Sequence, residues 1–414
     1  MASRSMIPFL VGMMLLTGVC NTLLTKYQDN QCVRNCGPDD NPNKRAFFNQ
    51  PVLQTAQMFI GEMGCWLVVG LMALWRRFTG SSTPADRGYQ AVDTNDNGDP
   101  ATEYENNART RLLHNGRSIL KGYRVVLLAL PAICDICGTT LMNAGLLMVA
   151  ASIYQMTRGA LVLFVGLFSV VFLKRHLHLF QWLSLAGVVL GVAVVGLAGA
   201  IWPDEKPHHS IDGSQEDSVA SGGLSDATRA IVGVLLIAGA QIFTATQFVL
   251  EEWILENSPI EPIRVVGWEG IFGFTVTLLG MLVLHAAIGS TPAGKYGYFD
   301  MAEGWRQMTQ NKHILISSFL IMISIGGFNF FGLSVTRSVS ATSRSTIDTC
   351  RTLFIWIVSL GLGWESFKWL QILGFALLVY FTFLFNGIVH PPFEFLKVDE
   401  EIEELLPEDP IEHR

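Results

Sequence analysis

The sequence predicts an all-α polytopic membrane protein, with ten transmembrane helices arranged as two inverted five-helix repeats. Three observations lead there. Half of the 414 residues are hydrophobic, only 15% are charged and the mean hydropathy is +0.37, whereas soluble domains carry about 25% charged residues. The charges are also bunched, leaving ten apolar stretches of roughly 20 residues, each long enough for a hydrocarbon core of ~30 Å at ~1.5 Å rise per residue. Finally, features of the first five stretches recur in order in the last five. This composition excludes a soluble enzyme and a disordered scaffold, and a net charge of −7 with a pI near 5.7 argues against nucleic acid as a partner.

Residues 1–75 hold the first two helices, Met6–Thr25 and Val52–Leu74. Only Arg4 precedes the first, and Lys26-Tyr27-Gln28 follows it without a small-residue cleavage site, so it is read as a retained helix and not a signal peptide. Residues 76–124 include Asp93-Thr94-Asn95-Asp96-Asn97-Gly98-Asp99 and read as a disordered cytosolic loop. Helices Val125–Val149, Ser152–Leu173 and Leu179–Ile201 complete the first repeat within residues 125–201. The link Met148-Val149-Ala150-Ala151 carries no charge, so this hairpin is expected to turn inside the protein. Residues 202–229 form an acidic lumenal loop. Helices Ala230–Leu250, Val265–Ala287, Ile314–Val335, Ala341–Gly363 and Trp369–Val389 make up the second repeat, residues 230–390, with Glu251–Glu261 read as an acidic cytosolic loop. Residues 391–414 are an acidic tail.

An even number of spans puts both termini on one side. With cytosolic termini, the cytosolic segments hold 16 Lys and Arg and the lumenal ones 10, with Arg158 and Arg351 inside helices; this is the positive-inside bias. The repeat rests on four matched pairs. Gly12 and Gly18 match Gly233 and Gly239, and Gly61-Glu62 matches Glu269-Gly270. Ser152 and Arg158 match Ser345 and Arg351, and Trp182-Leu183…Gly187 matches Trp369-Leu370…Gly374. A repeat of five helices, an odd number, must enter the membrane from the opposite face, the arrangement of secondary transporters with a midplane substrate site.

A charge at a helix centre costs about 2.5–3.5 kcal/mol on insertion scales. Glu62, Asp135, Arg158, Glu269, Asp348 and Arg351 all lie in apolar spans, so they are expected to face one another or a wet cavity. Arg344, Asp348 and Arg351 fall at i, i+4 and i+7, one stripe of a helix. The spacing of Ser152, Gln155 and Arg158 does the same, with Tyr154 beside them. The candidate substrate-binding set is therefore Tyr154, Gln155, Arg158, Asn329, Asp348 and Arg351, with Glu62, Asp135 and Glu269 as candidate proton carriers. Plainer readings stay open. Asp348 and Arg351 would neutralise each other as a structural pair, Arg158 would snorkel to an interface, the carboxylates would bond neighbouring helices, and so would Asn329.

Cys134-x-x-Cys137 lies in an apolar helix and reads as packing, and neither His285 nor His208-His209 is assigned a metal. Cys32 and Cys36 share an outside loop, where a local disulfide and free thiols both remain open. No phosphate loop, nucleophile triad or HExxH is found, so neither cofactor nor metal nor catalysis is expected. In the tail, Glu401 stands four residues before Leu405-Leu406, a pattern resembling the acidic dileucine signal read by clathrin adaptors.

Ser152-Ile153-Tyr154-Gln155-Met156-Thr157-Arg158-Gly159, Gly166-Leu167-Phe168-Ser169 and Gln181-Trp182-Leu183 resemble the fourth and fifth helices of the drug/metabolite transporter superfamily. Within it, Gly267-Trp268-Glu269-Gly270, Ser340-Ala341-Thr342-Ser343-Arg344, Asp348-Thr349-Cys350-Arg351-Thr352 and Leu362-Gly363-Trp364-Glu365 resemble the F subfamily, member-six-like branch of solute carrier family 35. The resemblance implies ten helices in two inverted units, an endolysosomal or vacuolar membrane and transport of an organic solute, with a mitochondrial association also attributed to the branch and a Golgi membrane still open. The late-helix lysine pattern of nucleotide-sugar transporters is not apparent, whereas chloroquine-resistance-type relatives move amino acids, peptides or cationic drugs, often with protons.

The expected function is thus secondary-active transport of a small organic solute, with protons as the coupling ion, in a lipid-embedded chain for which a homodimer stays open. Two rivals remain: a nucleotide-sugar or nucleotide exchanger, and a non-transporting membrane adaptor that works through its Arg76–Lys121 loop.

Overall fold

A computed structural model describes residues 6–36, 45–79, 122–146, 159, 161–201, 226–258, 260–292, 294, 297–363, 367 and 369–390. The described chain is helical apart from one short antiparallel hairpin, β1 (Cys32–Arg34) with β2 (Ala46–Phe47), Cys32 facing Phe47. Helix α1 (Ile7–Asp29) starts at a proline in its first turn, where the missing N–H costs nothing. The second predicted span is two segments, α2 (Pro51–Met63) and α3 (Cys65–Thr79), meeting at Gly64. The third opens with a 3₁₀ stretch (Gly122–Leu128) before α4 (Ala129–Leu146); Pro131 cannot donate back to that turn. Helix α5 (Leu161–Leu173) ends where Lys174 takes φ 56° and Arg175 N donates to Ser169 O at 3.2 Å, closing the last turn.

Next come α6 (Leu179–Ile201), α7 (Asp226–Asn257) and α8 (Pro262–Leu284), the last followed by a π turn. A short amphipathic helix, α9 (Met301–Gln310), is capped by Asp300, which accepts from Glu303 N. Helices α10 (Lys312–Ser338), α11 (Ala341–Gly361) and α12 (Trp369–Phe385) complete the chain; Asn311 caps α10 and Ser340 caps α11.

Six helical stretches among the described residues are long and apolar enough to cross a membrane: Ile7–Asp29, Pro51–Thr79, Val125–Met142, Ile231–Asn257, Pro262–Gly289 and Lys312–Ser338. Helices α5, α6 and α12 are apolar and shorter. Polarity is inverted relative to a soluble protein. Ile323 is 74% exposed and Leu67 72%, while Gln28, Gln241 and Ser345 are wholly buried. Lipid takes the place of water outside, and buried polar side chains such as Gln28 and Ser345 bond to interior partners.

Two sequence expectations are corrected. The sixth helix does not stop at Leu250: α7 runs to Asn257, so Glu251 and Glu252 are buried helix residues and not loop residues. The loop after the second helix does not begin at Arg76, which lies within α3. Burial of Arg344 likewise removes one positive charge from the cytosolic count.

The helices pair in a definite pattern. Helix α6 packs on α12, α4 on α7, and α1 on α10; α2 packs on both α8 and α10, and α4 on α8. Helix α5 meets α6, α7 and α11, and α11 meets α1 and α12. At one end the hairpin and α9 form a cap. Phe48, Leu53 and Ala56 pack with Met281, Met308 and Ile314, and Gln28 Nε2 donates to Ser318 Oγ at 2.7 Å. Arg34 lies 3.7 Å from Glu303, a carboxylate that also accepts from Arg306 and Gln307. Burial alone would raise the Glu303 pKa, but these bonds and the Arg306 and Arg34 charges outweigh it and hold it below its ordinary 4.5. A depressed carboxyl stabilises the fold above its unfolded value and loses that contribution as pH falls through the folded one. Glu303→Gln is therefore expected to cost about 1 kcal/mol or less at neutral pH, the partners being exposed, and progressively less as pH falls through the folded-state value. Unfolding curves followed from neutral to acidic pH check this.

Candidate functional site

Five helices bring ionisable side chains to one point in the interior. Glu62 comes from α2, Asp135 from α4, Glu251 from α7, Glu269 from α8 and Arg344 from α11, with Gln247, Asn329, Phe59, Ala132 and Leu333 completing the lining. The space among them open to water centres is about 10 Å³, room for roughly one water. Close helix approach makes the chamber this small. A Cβ at Gly61 would lie 2.2 Å from Met322 O, and one at Gly270 would lie 2.5 Å from Met63 N. The α2 backbone is therefore held tightly between α8 and α10.

The hydrogen bonding is unequal. Arg344 is 2% exposed, donates through Nη1 to Glu251 Oε2 at 2.5 Å and lies over the Phe248 ring at 4.2 Å. Gln247 Nε2 donates to the other Glu251 oxygen at 2.9 Å. Asn329 Nδ2 donates to Glu62 Oε1 at 2.6 Å. Glu269 Oε1 is buried with no hydrogen-bond partner. Among the described residues, four carboxyl groups thus share one guanidinium, and that guanidinium is already committed to Glu251.

Neighbouring residues on α7 and α11 face a second space. Glu252, Thr342 and Ser343 line a groove of about 340 Å³ together with Ser169, Arg175 and Asn386, at the end of the bundle opposite the cap. Glu252 Oε1 accepts from Arg175 Nη2 at 3.2 Å, and Glu252 Oε2 accepts from Ala341 N at 3.1 Å. Arg175 also bonds Glu256. The Glu251–Arg344 pair lies on the same turns, with its back to this groove.

Of the residues singled out in the sequence, Glu62, Asp135, Glu269 and Asn329 meet in the chamber. Asp348 and Arg351 do not line it. They pair with each other at 3.2 Å along α11, and the Arg351 guanidinium lies 4.8 Å from the Phe328 ring centre. Asn329 bonds a neighbouring helix, as its plainer reading had it. Tyr154, Gln155 and Arg158 lie outside the described residues, as do Glu401, Leu405 and Leu406. Cys32 and Cys36 are joined in a disulfide, with Cα atoms 6.0 Å apart. No group of three or more His, Cys, Asp or Glu suited to a metal occurs among the described residues. Sequence reasoning missed Glu251 and Gln247. Their signal was the i, i+4 polar pair in a segment with no helix breaker before Pro259.

Multi-pass apolar helices around a buried, charged and nearly dry chamber define a membrane solute transporter. The chain belongs to solute carrier family 35. It is 36% identical over 385 residues to solute carrier family 35 member F6 of Homo sapiens, covering 92% of this chain and 89% of that protein, with the same figures for the Pongo abelii protein. It is 38% identical over 379 residues to a Schizosaccharomyces pombe protein named Uncharacterized protein C12G12.12, covering 92% and 97% of the two chains. The family model described as Nucleotide-sugar transporter matches residues 98–286.

Proposed function

We propose that the protein is a secondary-active transporter of a small organic solute across an endolysosomal or vacuolar membrane, with both termini cytosolic and protons carried on Glu62, Asp135 and Glu269. Ten spans in two inverted repeats, α1–α6 and α7–α12, would rock about the chamber.

The helix pairing carries this reading. Exchanging α1 with α7, α2 with α8, α4 with α10, α5 with α11 and α6 with α12 turns α1–α10 into α7–α4, α2–α10 into α8–α4, α5–α7 into α11–α1 and α5–α6 into α11–α12, all pairs that exist. The pairs α2–α8, α5–α11 and α6–α12 map onto themselves. Such exchange is what a pseudo-two-fold axis between the units would produce, and Glu62 and Glu269 would then be exchange partners. The cap seals one end while the groove opens the other, as one state of an alternating-access cycle would. Three carboxyl groups beyond the Arg344 pair need positive charge to be tolerated in a low-dielectric interior, and protons would supply it.

Proteoliposomes of the full-length protein, exposed to a cell-derived solute mixture under an imposed pH gradient, are expected to accumulate at least one organic solute. Protein-free vesicles and Glu62→Gln proteoliposomes should not. If uptake by Glu62→Gln matches the wild type, Glu62 has no place in the site; if no solute distinguishes protein from bare vesicles, the transporter reading fails. The matched family model favours a second reading, a nucleotide-sugar exchanger, and the same mixture tests it. Recruitment of a clathrin adaptor by Glu401, Leu405 and Leu406 is proposed separately.

A further inference from the structure

The chamber's chemistry points to what the solute must present. We propose that it recognises a protonated amino group, so that the transported solute is an organic amine and not a nucleotide sugar; this rests on the transporter reading above. Three features carry the assignment.

The described interior offers acceptors and no spare cation. Among the described residues, the buried and groove-lining guanidinium groups are matched: Arg344 with Glu251, Arg351 with Asp348, and Arg175 with Glu252 and Glu256. A diphosphate entering here would meet four carboxyl groups and a single guanidinium whose charge Glu251 already matches. An ammonium group meets the reverse situation, since it has three donors and no acceptor. Glu269 lines the chamber and its Oε1 is a buried acceptor with nothing bonded to it. Leaving such a group unmet is costly, and a charged donor removes the cost.

The size agrees as well. The chamber admits about one water, and an ammonium head is close to that size, whereas a phosphate is not. The donors present, Asn329 on Glu62 and Gln247 on Glu251, each occupy one oxygen of their carboxylate, while Asp135 and Glu269 approach from the other two helices. In this sealed state the chamber would hold the amine head alone. The rest of the solute requires the bundles to part.

Thermal unfolding of the purified full-length protein in detergent tests this, with methylamine, tryptamine, tryptophol (the uncharged alcohol analogue of tryptamine), UDP-glucose and sodium chloride as separate probes. At least one of the two amines is expected to raise Tm by about 3 °C or more. Tryptophol and UDP-glucose should leave it unchanged, and Glu269→Gln should weaken the amine at least tenfold. Four results would overturn the proposal: stabilisation by UDP-glucose, an equal shift with tryptophol, no shift with either amine, or an amine shift that survives Glu269→Gln. A Glu269-dependent shift with sodium alone would overturn it too, marking an inorganic ion site. Should Glu269→Gln fail to fold, Asp135→Asn takes its place with the same expected loss. An anionic solute emerging from the proteoliposome mixture would remove the amine assignment and leave transport standing.

Discussion

Arg344→Ala is expected to destabilise the protein by about 3–5 kcal/mol, the usual cost of breaking a buried ion pair from one side. The two partners are 2% and 1% exposed, so neither water nor lipid can solvate the carboxylate left behind. Glu251 would keep only the Gln247 amide. The stacking of the guanidinium on Phe248 would go as well. Replacing both members with apolar residues, Arg344→Met with Glu251→Leu, should recover most of the loss, because no charge is then stranded. Urea unfolding in detergent, read beside the fraction of protein reaching the membrane, measures both. A single Arg344→Ala variant within about 1 kcal/mol of wild type would mean that the pair does not form.

The second large effect is steric. Gly61→Val should cost about 3 kcal/mol or more, at the upper end of overpacking penalties. A Cβ at Gly61 would sit 2.2 Å from the Met322 carbonyl oxygen and 2.7 Å from its Cα. The obstacle is backbone on α10, so no rotamer relieves it and α2 must move away, pulling Glu62 off Asn329. Gly12→Ala is the contrasting case. Nothing lies within 4 Å of a Cβ there, and removing a glycine from a helix interior should stabilise α1 by a few tenths to about 1 kcal/mol. Unfolding midpoints of the two variants, run together, are expected to move in opposite directions.

Much of the chamber was legible because ionisable residues inside apolar runs are so costly. Glu62, Asp135 and Glu269 stood out on that ground alone. Glu251 did not, because a charged residue at the end of an apolar run looks like the start of a loop. Its guanidinium partner is 93 residues away, and no local periodicity reports such a contact. The stripe of Arg344, Asp348 and Arg351 was legible as one face of a helix, but not its division. Asp348 lies where Arg351 reaches it along α11, while Arg344, in the first turn, reaches across to α7. The cap was also missed, although Asp300 and Glu303 carry the spacing of a helix start. In a chain dominated by apolar spans, a helix of 10 residues does not register.

The matching of guanidinium to carboxylate has an electrical consequence. An unpaired charge moved across the bilayer exchanges about 2.3 kcal/mol with each 100 mV of membrane potential. The Arg351–Asp348 pair sits on a single helix, so it travels as a neutral dipole whenever that helix tilts. The Arg344–Glu251 pair joins two helices of the same half and does likewise. Among the described chamber residues, voltage then acts on Glu62, Asp135 and Glu269. Loaded, they would ride across almost unaffected by it; empty and ionised, they would make the return stroke the current-carrying step.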